Sequence, residues 1–476
     1  MPSPRLAVSL LVAALAALSL LLPFALVYDP WAWLVWGREI TGLELDTGSG
    51  PSWKPLPVIA TTLAAPAGGA APELWTLLAR AGWLASVALA WALAARLVIP
   101  PGLSMRAAAR LAPARIRRAR IAAGALAAAG VLLLHDPFTP WVRQFAGGLS
   151  EPLLVALALG AVERQLAARP GQAFALGVGA ALLRPEAWPL LAVYGYVLWR
   201  RHPGLRVGLA AGALAVPLLW LGPDLIGSGD PLTGARRARE ATGTAPAEAL
   251  EAIGRALNLV LAGLWAAAAY AGCTAWRARE RPIVVLAAGA LGWIAIVAAL
   301  AAAGYAGIPR FAAPAAAIAC VLGGVGAVRL LALWGRAPRM SPRRRALAVA
   351  CAALAVGLAV QGAIRAADVP GDLRGANQFR DGVEDLFAVV AGAGRERVVA
   401  CGGVTTSDFL TETALAWRLE LGLGGVERRI ASAPAAGTSF LDADAPAEAR
   451  RAVLAAGRRV AGRGRWTAYE VFCANN

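Results

Sequence analysis

Long apolar runs separated by short polar loops make up the first three quarters of this chain. The first, Leu6 to Val27, holds about 22 residues without a charge, enough to cross a bilayer and long for a signal-peptide core. No small-x-small cleavage pattern follows it, so it reads as an uncleaved span. Further runs fall at Leu74–Ile99, Ile121–Leu134, Glu151–Leu166, Ala173–Leu183, Ala187–Trp199, Val207–Leu221, Leu257–Trp276, Ile283–Ala303, Ala312–Leu333 and Ala346–Ile364. The pattern predicts a polytopic α-helical membrane protein with about 11 transmembrane segments. The two runs around "LRPEAW" are short for full crossings; they are either tilted spans or half-helices meeting at a polar break. Beyond Ile364 the pattern changes. A helical stretch leads to a strand-like "RVVAC", then a helix over "APAEARRAVLAAGRRVAG" and a second strand, "WTAYEVFC". This predicts a membrane domain over residues 1–365, with a first outer loop at about 28–73, and a small α/β domain over 366–476.

Charge orients the spans. Loops such as "MRAAARLAPARIRRAR", "WRRHPGLR", "WRARERP" and "WGRAPRMSPRRR" are dense in arginine. They alternate with loops that carry most of the acids, including 29–73, "HDPFTPWVRQ" and "GSGDPLTG". With the arginine loops cytoplasmic, the N-terminus is inside and the C-terminal α/β domain is extracytoplasmic, in a multi-pass plasma-membrane protein. The chain of 476 residues is 58% hydrophobic and 16% charged, well below the ~25% charged of soluble proteins. Its formal charge of +17 would suggest nucleic acid in a soluble chain. Here topology accounts for the same arginines, and no nucleic-acid partner is expected.

Ionisable residues at a membrane boundary are costly and are candidates for function. Those expected on the outer side are Asp29, Glu39, Lys54, His135, Asp136, Glu151, Arg184, Glu186, Asp230 and Arg310, and one polar pocket would gather them. Asp29 closes the first apolar run, ahead of Trp31, Trp33 and Trp36. It is either a general base toward a hydroxyl or an interfacial acid backed by a tryptophan belt. Lys54, in "WKPLPV", is the chain's single lysine, a compact point charge where every other basic side chain is arginine; a snorkelling role is the alternative. Arg184 and Glu186 share "LLRPEAWPLL", where an arginine can hold a phosphate or pair with Glu186. Arg310, in "GIPRFAAPA", suits a phosphate or a lipid headgroup. Glu151 opens a span, with Ser150 as its N-cap. His135 and Asp136 lie in "HDPF".

Of five cysteines, Cys273, Cys320 and Cys351 lie in apolar runs. Cys401 and Cys473 lie in the tail: outside the cytoplasm they can form a disulfide, and inside it they would be two free thiols. No Cys/His metal spacing, P-loop, GxSxG or dinucleotide fingerprint occurs.

The order of the polar motifs is similar to that of the GT-C-type integral membrane glycosyltransferases, in particular the mannosyl-, arabinofuranosyl- and aminoarabinose-transferring enzymes. The first span ending in an acid, "KPLP", "SE" opening a span, "LRPE", "GDPLTGARRA" and "PRFAAP" carry the resemblance over roughly residues 5–335. The departures are one proline fewer beside Lys54, no asparagine in "GDPLTGARRA", and Phe311 in place of a tyrosine. The resemblance implies a GT-C-like catalytic domain with a polyprenyl-phosphate sugar donor among membrane lipids. The acceptor would be an extracytoplasmic glycan, lipid or protein, and the product a part of the cell envelope. Asp29 would act as general base and Lys54, Arg184 and Arg310 would hold the lipid phosphate. His135, Asp136, Glu151, Glu186 and Asp230 would bind substrate or support those cations. A single displacement would invert the anomeric carbon. No cofactor is required; a divalent metal is compatible but no ligand pattern indicates one. A transporter or flippase for a lipid-linked precursor is the alternative, and a non-catalytic scaffold displaying the tail a third.

Overall fold

The computed structural model of the protein describes residues 4–99, 113–240, 247–336, 341–428 and 436–473. Helix α1 spans Pro4–Ser19 and stops eight residues short of the expected end of the first span. The cause is Pro23. It lacks an N–H and its ring would clash with the carbonyl four residues back, at Ser19. Residues 20–27 run on without helix, and α2 (Tyr28–Gly42) begins afresh. Asp29 therefore lies in the first turn of α2, not at the end of the first span. There its carboxylate faces the positive end of the helix dipole, and Pro30 needs no hydrogen-bond partner.

The body continues through α3 (Pro55–Ala64), α4 (Ala71–Leu97), α5 (Pro113–Leu132), α6 (Trp141–Ala146), α7 (Glu151–Leu166) and α8 (Pro170–Ala181). It is completed by α9 (Ala187–Arg201), α10 (Arg206–Ser228), α11 (Thr233–Glu240), α12 (Ala247–Asn258), α13 (Ala262–Ala278), α14 (Arg281–Ala302) and α15 (Ala313–Arg336). α15 is the central post. A Cβ on Gly324 would lie 2.4 Å from the Ala123 carbonyl oxygen, and one on Gly326 1.9 Å from that of Ala267. Glycine there lets α15 touch the backbones of α5 and α13, the close approach that small residues permit between helices in lipid. α12 and α13 meet at a 94° bend. The Arg365 guanidinium fills that elbow, donating to the carbonyls of Leu133, Asn258, Leu259 and Val260. Backbone polar groups freed by the break are thus satisfied within the protein.

By length and composition, five of the described helical stretches can cross a membrane: Pro55–Leu97, Pro203–Ser228, Arg281–Ala302, Pro309–Ala332 and Arg345–Ala393. The bent pair α12–α13 makes a sixth when taken as one span. This is a multi-pass membrane protein, and among the described residues fewer helices have full spanning length than there are apolar runs. α7, α8 and α9 have 16, 12 and 15 residues, short of the ~20 that a perpendicular crossing needs. The chain between α8 and α9 is a non-helical break holding Arg184.

The last of the long helices, α16 (Pro342–Ala393), continues unbroken past residue 365 and ends at Gly394, whose φ is 82°. It carries a five-stranded mixed sheet of order β2-β1-β3-β5-β4. The strands are β1 (Gly403–Thr406), β2 (Val426–Arg428), β3 (Gly437–Asp442), β4 (Gly457–Arg463) and β5 (Trp466–Val471). β1 is parallel to β2 and β3; β5 is antiparallel to β3 and β4. Two local expectations fail here. "RVVAC" is helical, within α17 (Arg395–Ala400), because only Val398 finds cover while Val399 stays exposed. "GRRVAG" is strand β4 and not the end of the preceding helix, α19 (Ala447–Ala456), because its backbone zips onto β5. Between β1 and β2 lies α18 (Glu412–Leu419). Cys401 and Cys473 are disulfide-bonded, with Cα atoms 5.2 Å apart, tying the start of the sheet to its end.

One hydrophobic core joins this sheet to the first loop. Trp31, Trp33 and Trp36 are 5%, 0% and 0% exposed and pack with Trp53, Trp75, Leu386, Leu415, Phe440 and Trp466. Trp31 meets Phe387 and Trp417, Trp33 meets Trp75, and Trp36 meets Trp53. The tryptophans are therefore not a platform on the membrane surface. They fill the joint between α2 and the C-terminal domain, because burying such large side chains stabilises far more than leaving them at an interface.

Because the Cys401–Cys473 bond closes a loop of 72 residues, Cys401→Ser should destabilise the C-terminal domain by about 2–4 kcal/mol. Thermal unfolding with and without reductant checks this: the reductant should lower the melting temperature of the wild type and leave that of the variant unchanged.

Candidate active site

Five segments deliver charged side chains to one place at the end of the bundle that carries the sheet. α2 brings Asp29 in its first turn. Lys54 is the N-cap residue of α3, its backbone held extended ahead of Pro55. Glu151 is the first residue of α7; Ser150 takes the cap position but makes no side-chain capping bond there, contrary to expectation. Arg184 comes from the break between α8 and α9, and Arg310 from the 3-10 turn Pro309–Ala312 before α15.

Glu151 is the hub. Its side chain is 1% exposed, and Oε1 lies 2.7 Å from Arg184 Nη2, 3.6 Å from Arg310 Nε and 3.8 Å from Lys54 Nζ. Lys54 Nζ also donates to Asp29 Oδ2 at 3.2 Å and lies 5.0 Å from the centre of the Trp33 ring. Arg184 lies 3.9 Å from Glu186 and stacks its guanidinium 3.5 Å from the centre of the Phe311 ring. The tyrosine-to-phenylalanine departure thus retains the face on which the arginine rests. Arg310 donates to Thr139 Oγ1 at 3.0 Å. Asp136 acts electrostatically with Arg310: its Oδ1 accepts from the backbone N–H groups of Phe138 and Thr139, and burial pushes its carboxyl up from the ordinary range.

The cluster is graded. Glu151, Arg184 and Lys54 form a buried floor, while Asp29 and Arg310, with 24% and 20% of their side chains exposed, form the rim. Arg184 Nε, Arg310 Nε, Glu151 Oε2, Glu186 Oε2 and Asp136 Oδ2 are buried without hydrogen-bond partners. Unsatisfied polar atoms are rare in folded interiors, and five within one charged cluster mark a place where a polar ligand can complete the bonding. Lysine and arginines there suit an anion, and Asp29 at the rim suits a hydroxyl. Among the described residues no three His, Cys, Asp or Glu side chains group as metal ligands.

Three sequence candidates, Asp230, His135 and Glu39, lie elsewhere. Asp230 pairs with Arg236 and caps the turn into α11 by accepting from the Leu232 N–H. The buried acid of that region is Asp224, which accepts from the Gly234 N–H at 2.8 Å. His135 donates its backbone N–H to Leu259, and its ring bears electrostatically on Asp372 of α16. Sequence reasoning did not single out Thr139 or Arg237; the latter holds the carbonyls of Gly48 and Gly50 and so shapes the loop before Lys54. Its only signal was its place in "GARRA".

Glu39, further along α2, forms a second buried acid at the joint. It is 9% exposed, accepts from the Asp46 N–H at 3.1 Å, and lies against Gly422 of the C-terminal domain. Burial pushes its carboxyl up from 4.5 to about 7. The neighbouring Arg38 does not pair with it closely, because it donates to the carbonyls of Trp417 and Leu421. A raised carboxyl pKa makes the docked state hold the proton more tightly. This contribution to docking is full below about pH 4.5 and is lost as pH rises through about 7. Limited proteolysis of the C-terminal domain should therefore speed up between pH 5.5 and 8, and Glu39→Gln should flatten that dependence.

Removing the hub should be costly. Glu151→Ala leaves three cations without their shared counter-charge and should destabilise the fold by about 3–5 kcal/mol, read as a lowered melting temperature in detergent.

No protein-family model matches the chain, and no curated protein does. Among solved structures, the chain is similar to ArnT from Cupriavidus metallidurans in its apo state, with 15% identity and a TM-score of 0.56 over 98% of this chain and 97% of that one. The same enzyme bound to undecaprenyl phosphate matches with 14% identity and a TM-score of 0.56, over 98% and 96% of the two chains. At this identity the likeness is one of fold, and it runs from the first helix through the C-terminal sheet. The chain shares the fold of ArnT, in line with the resemblance that the order of its motifs suggested.

Proposed function

We propose that this protein transfers a sugar from a polyprenyl-phosphate donor to an extracytoplasmic glycan, lipid or protein of the cell envelope. The observation that carries the reading is the convergence of Lys54, Arg184 and Arg310 on Glu151, with Asp29 at the rim beside Lys54. The solved relative bound to undecaprenyl phosphate supports a lipid phosphate as the group those cations meet. The arginine-rich loops favour an orientation with the N-terminus cytoplasmic and the C-terminal domain outside, so the pocket opens toward the outer leaflet.

Asp29 takes the proton of the acceptor hydroxyl as its oxygen bonds to the anomeric carbon. The bond from that carbon to the phosphate oxygen breaks, and its electron pair leaves with the lipid phosphate. Lys54 and Arg310 stabilise the charge that develops there, while Arg184, braced on Phe311, completes the positive field. Asp136 and Glu186 orient the cations or the sugar hydroxyls. Attack opposite the departing phosphate inverts the anomeric carbon. No metal is required for this step. The transporter alternative is less well supported, because the charges gather at one end of the bundle and no inverted repeat is evident in the sequence.

Asp29→Asn should lower transfer from undecaprenyl-phosphate-linked sugars by about 10²–10⁴-fold while leaving undecaprenyl phosphate binding in place; transfer at the wild-type rate would remove Asp29 from the base role. Arg310→Ala should weaken binding of undecaprenyl phosphate itself, measured by native mass spectrometry of the purified protein.

A further inference from the structure

The C-terminal domain places an aromatic ring with an open face next to Asp29. Phe409, in the 3-10 turn after β1, stacks on Tyr28 with ring centroids 4.3 Å apart and planes 24° from parallel. Tyr28 is the residue immediately before Asp29 in the first turn of α2. Phe409 is nevertheless 42% exposed, so one side of the pair is held by packing and the other is open. Asp408 fixes the turn by accepting from the Leu410 N–H, and Thr413 at the start of α18 donates to the Tyr28 carbonyl at 2.8 Å. The Arg428 guanidinium, at the end of β2, lies 5.4 Å from the centre of the Phe409 ring. Glu412 is half-buried and opposite in charge to Arg428; it acts electrostatically on the Tyr28 hydroxyl, as do Asp29, Arg237 and Arg428.

We propose that Phe409, backed by Tyr28 and flanked by Arg428 and Glu412, is a subsite for a saccharide ring of the acceptor. This rests on the glycosyltransferase reading above and deepens it: the C-terminal domain supplies recognition of the acceptor, next to the carboxylate that activates its hydroxyl. The chemistry fits a sugar better than an apolar partner. A ring held by a second ring offers its open face at little cost in side-chain entropy, and the C–H face of a sugar lies flat against it. The Arg428 guanidinium over the ring and the Glu412 carboxylate three residues on offer a donor and an acceptor for sugar hydroxyls. An apolar partner would instead leave that charged pair buried without water. The position also matters. Phe409 packs on Tyr28, the residue next to Asp29 in the chain, which puts the subsite on the same helical turn as the rim carboxylate.

The test uses the full-length protein in nanodiscs and a panel of methyl glycosides of glucose, mannose, galactose, arabinofuranose and glucosamine. Saturation-transfer NMR reads which sugar protons touch the protein, and undecaprenyl phosphate binding is titrated on the same samples. At least one glycoside should show its ring C–H protons in contact. Phe409→Ala should weaken that glycoside about tenfold or more, Phe409→Tyr should restore it, and Arg428→Ala should weaken it less. The undecaprenyl phosphate titration should be the same for wild type and variants, which shows that the donor site is folded. Undecaprenyl phosphate binding with no glycoside contact, or contact unchanged in Phe409→Ala, would overturn the subsite alone. A wild type that binds neither would overturn the transferase reading, and the subsite with it.

Discussion

Glu151 is the residue on which the arrangement of the site depends. Three cations from positions 54, 184 and 310 meet one carboxylate oxygen in a pocket from which water is largely excluded. Like charges this close would repel strongly at low dielectric, and each would be costly to bury alone. A single buried anion makes their assembly tolerable. It does not neutralise the group completely, since Lys54 is shared with Asp29 and Arg184 with Glu186. The result is a field poised for an anion that supplies what the protein leaves unsatisfied. The same geometry explains why the helices here are short or broken. Each cation stands at a helix start, in a break or in a 3-10 turn, where side chains can reach the centre without passing through a continuous helical backbone.

A second constraint sets the rim. Asp29 is held by α2, and α2 is held by the tryptophan-rich core that it shares with the C-terminal domain. The core thus has two main hydrophobic clusters: one fills the bundle, and the other, which holds α2, joins α2 and α3 to the sheet. The position of the catalytic candidate is thus coupled to the docking of a domain almost 400 residues away in sequence. Thr413 bonding the Tyr28 carbonyl is the most direct link. The long α16 then joins that domain to the bundle, while the disulfide closes the domain on itself, so the rim is built from both ends of the chain.

Much of this was legible in the sequence, and the failures have identifiable causes. Asp29, Lys54, Glu151, Arg184, Glu186 and Arg310 stood out because charge is scarce in an apolar chain, and each lies where a run ends or breaks. Their convergence could be anticipated from the alternation of loop charge alone. Asp230 met the same criterion yet serves a turn, because a charge at a loop gives no sign of its local partner. The tryptophans were misread because a belt at a membrane interface and a buried joint have the same composition; only the partner surface distinguishes them, and it lies in the tail. The first span was drawn too long because hydropathy does not register Pro23. "RVVAC" reads as a strand on β-branched content, but strand propensity follows available pairing, and the sheet takes up the chain two residues later.

The glycine pairing at the sheet shows why that register is fixed. β1 begins at Gly403, and a Cβ on its partner Gly437 would lie 1.8 Å from the Gly403 carbonyl oxygen. Glycine at position 437 permits this close approach at the start of the ladder, and pairing then continues through Val404, Thr405 and Thr406. Starting at Gly403 leaves Thr406 buried at the far end of the strand, and the chain then turns through Ser407 and Asp408. That turn delivers Phe409 to the face of Tyr28. Shifting β1 by one residue would invert its faces and carry Phe409 away from α2. A backbone contact far from the charged cluster therefore bears on which side chain packs against Tyr28, the neighbour of Asp29.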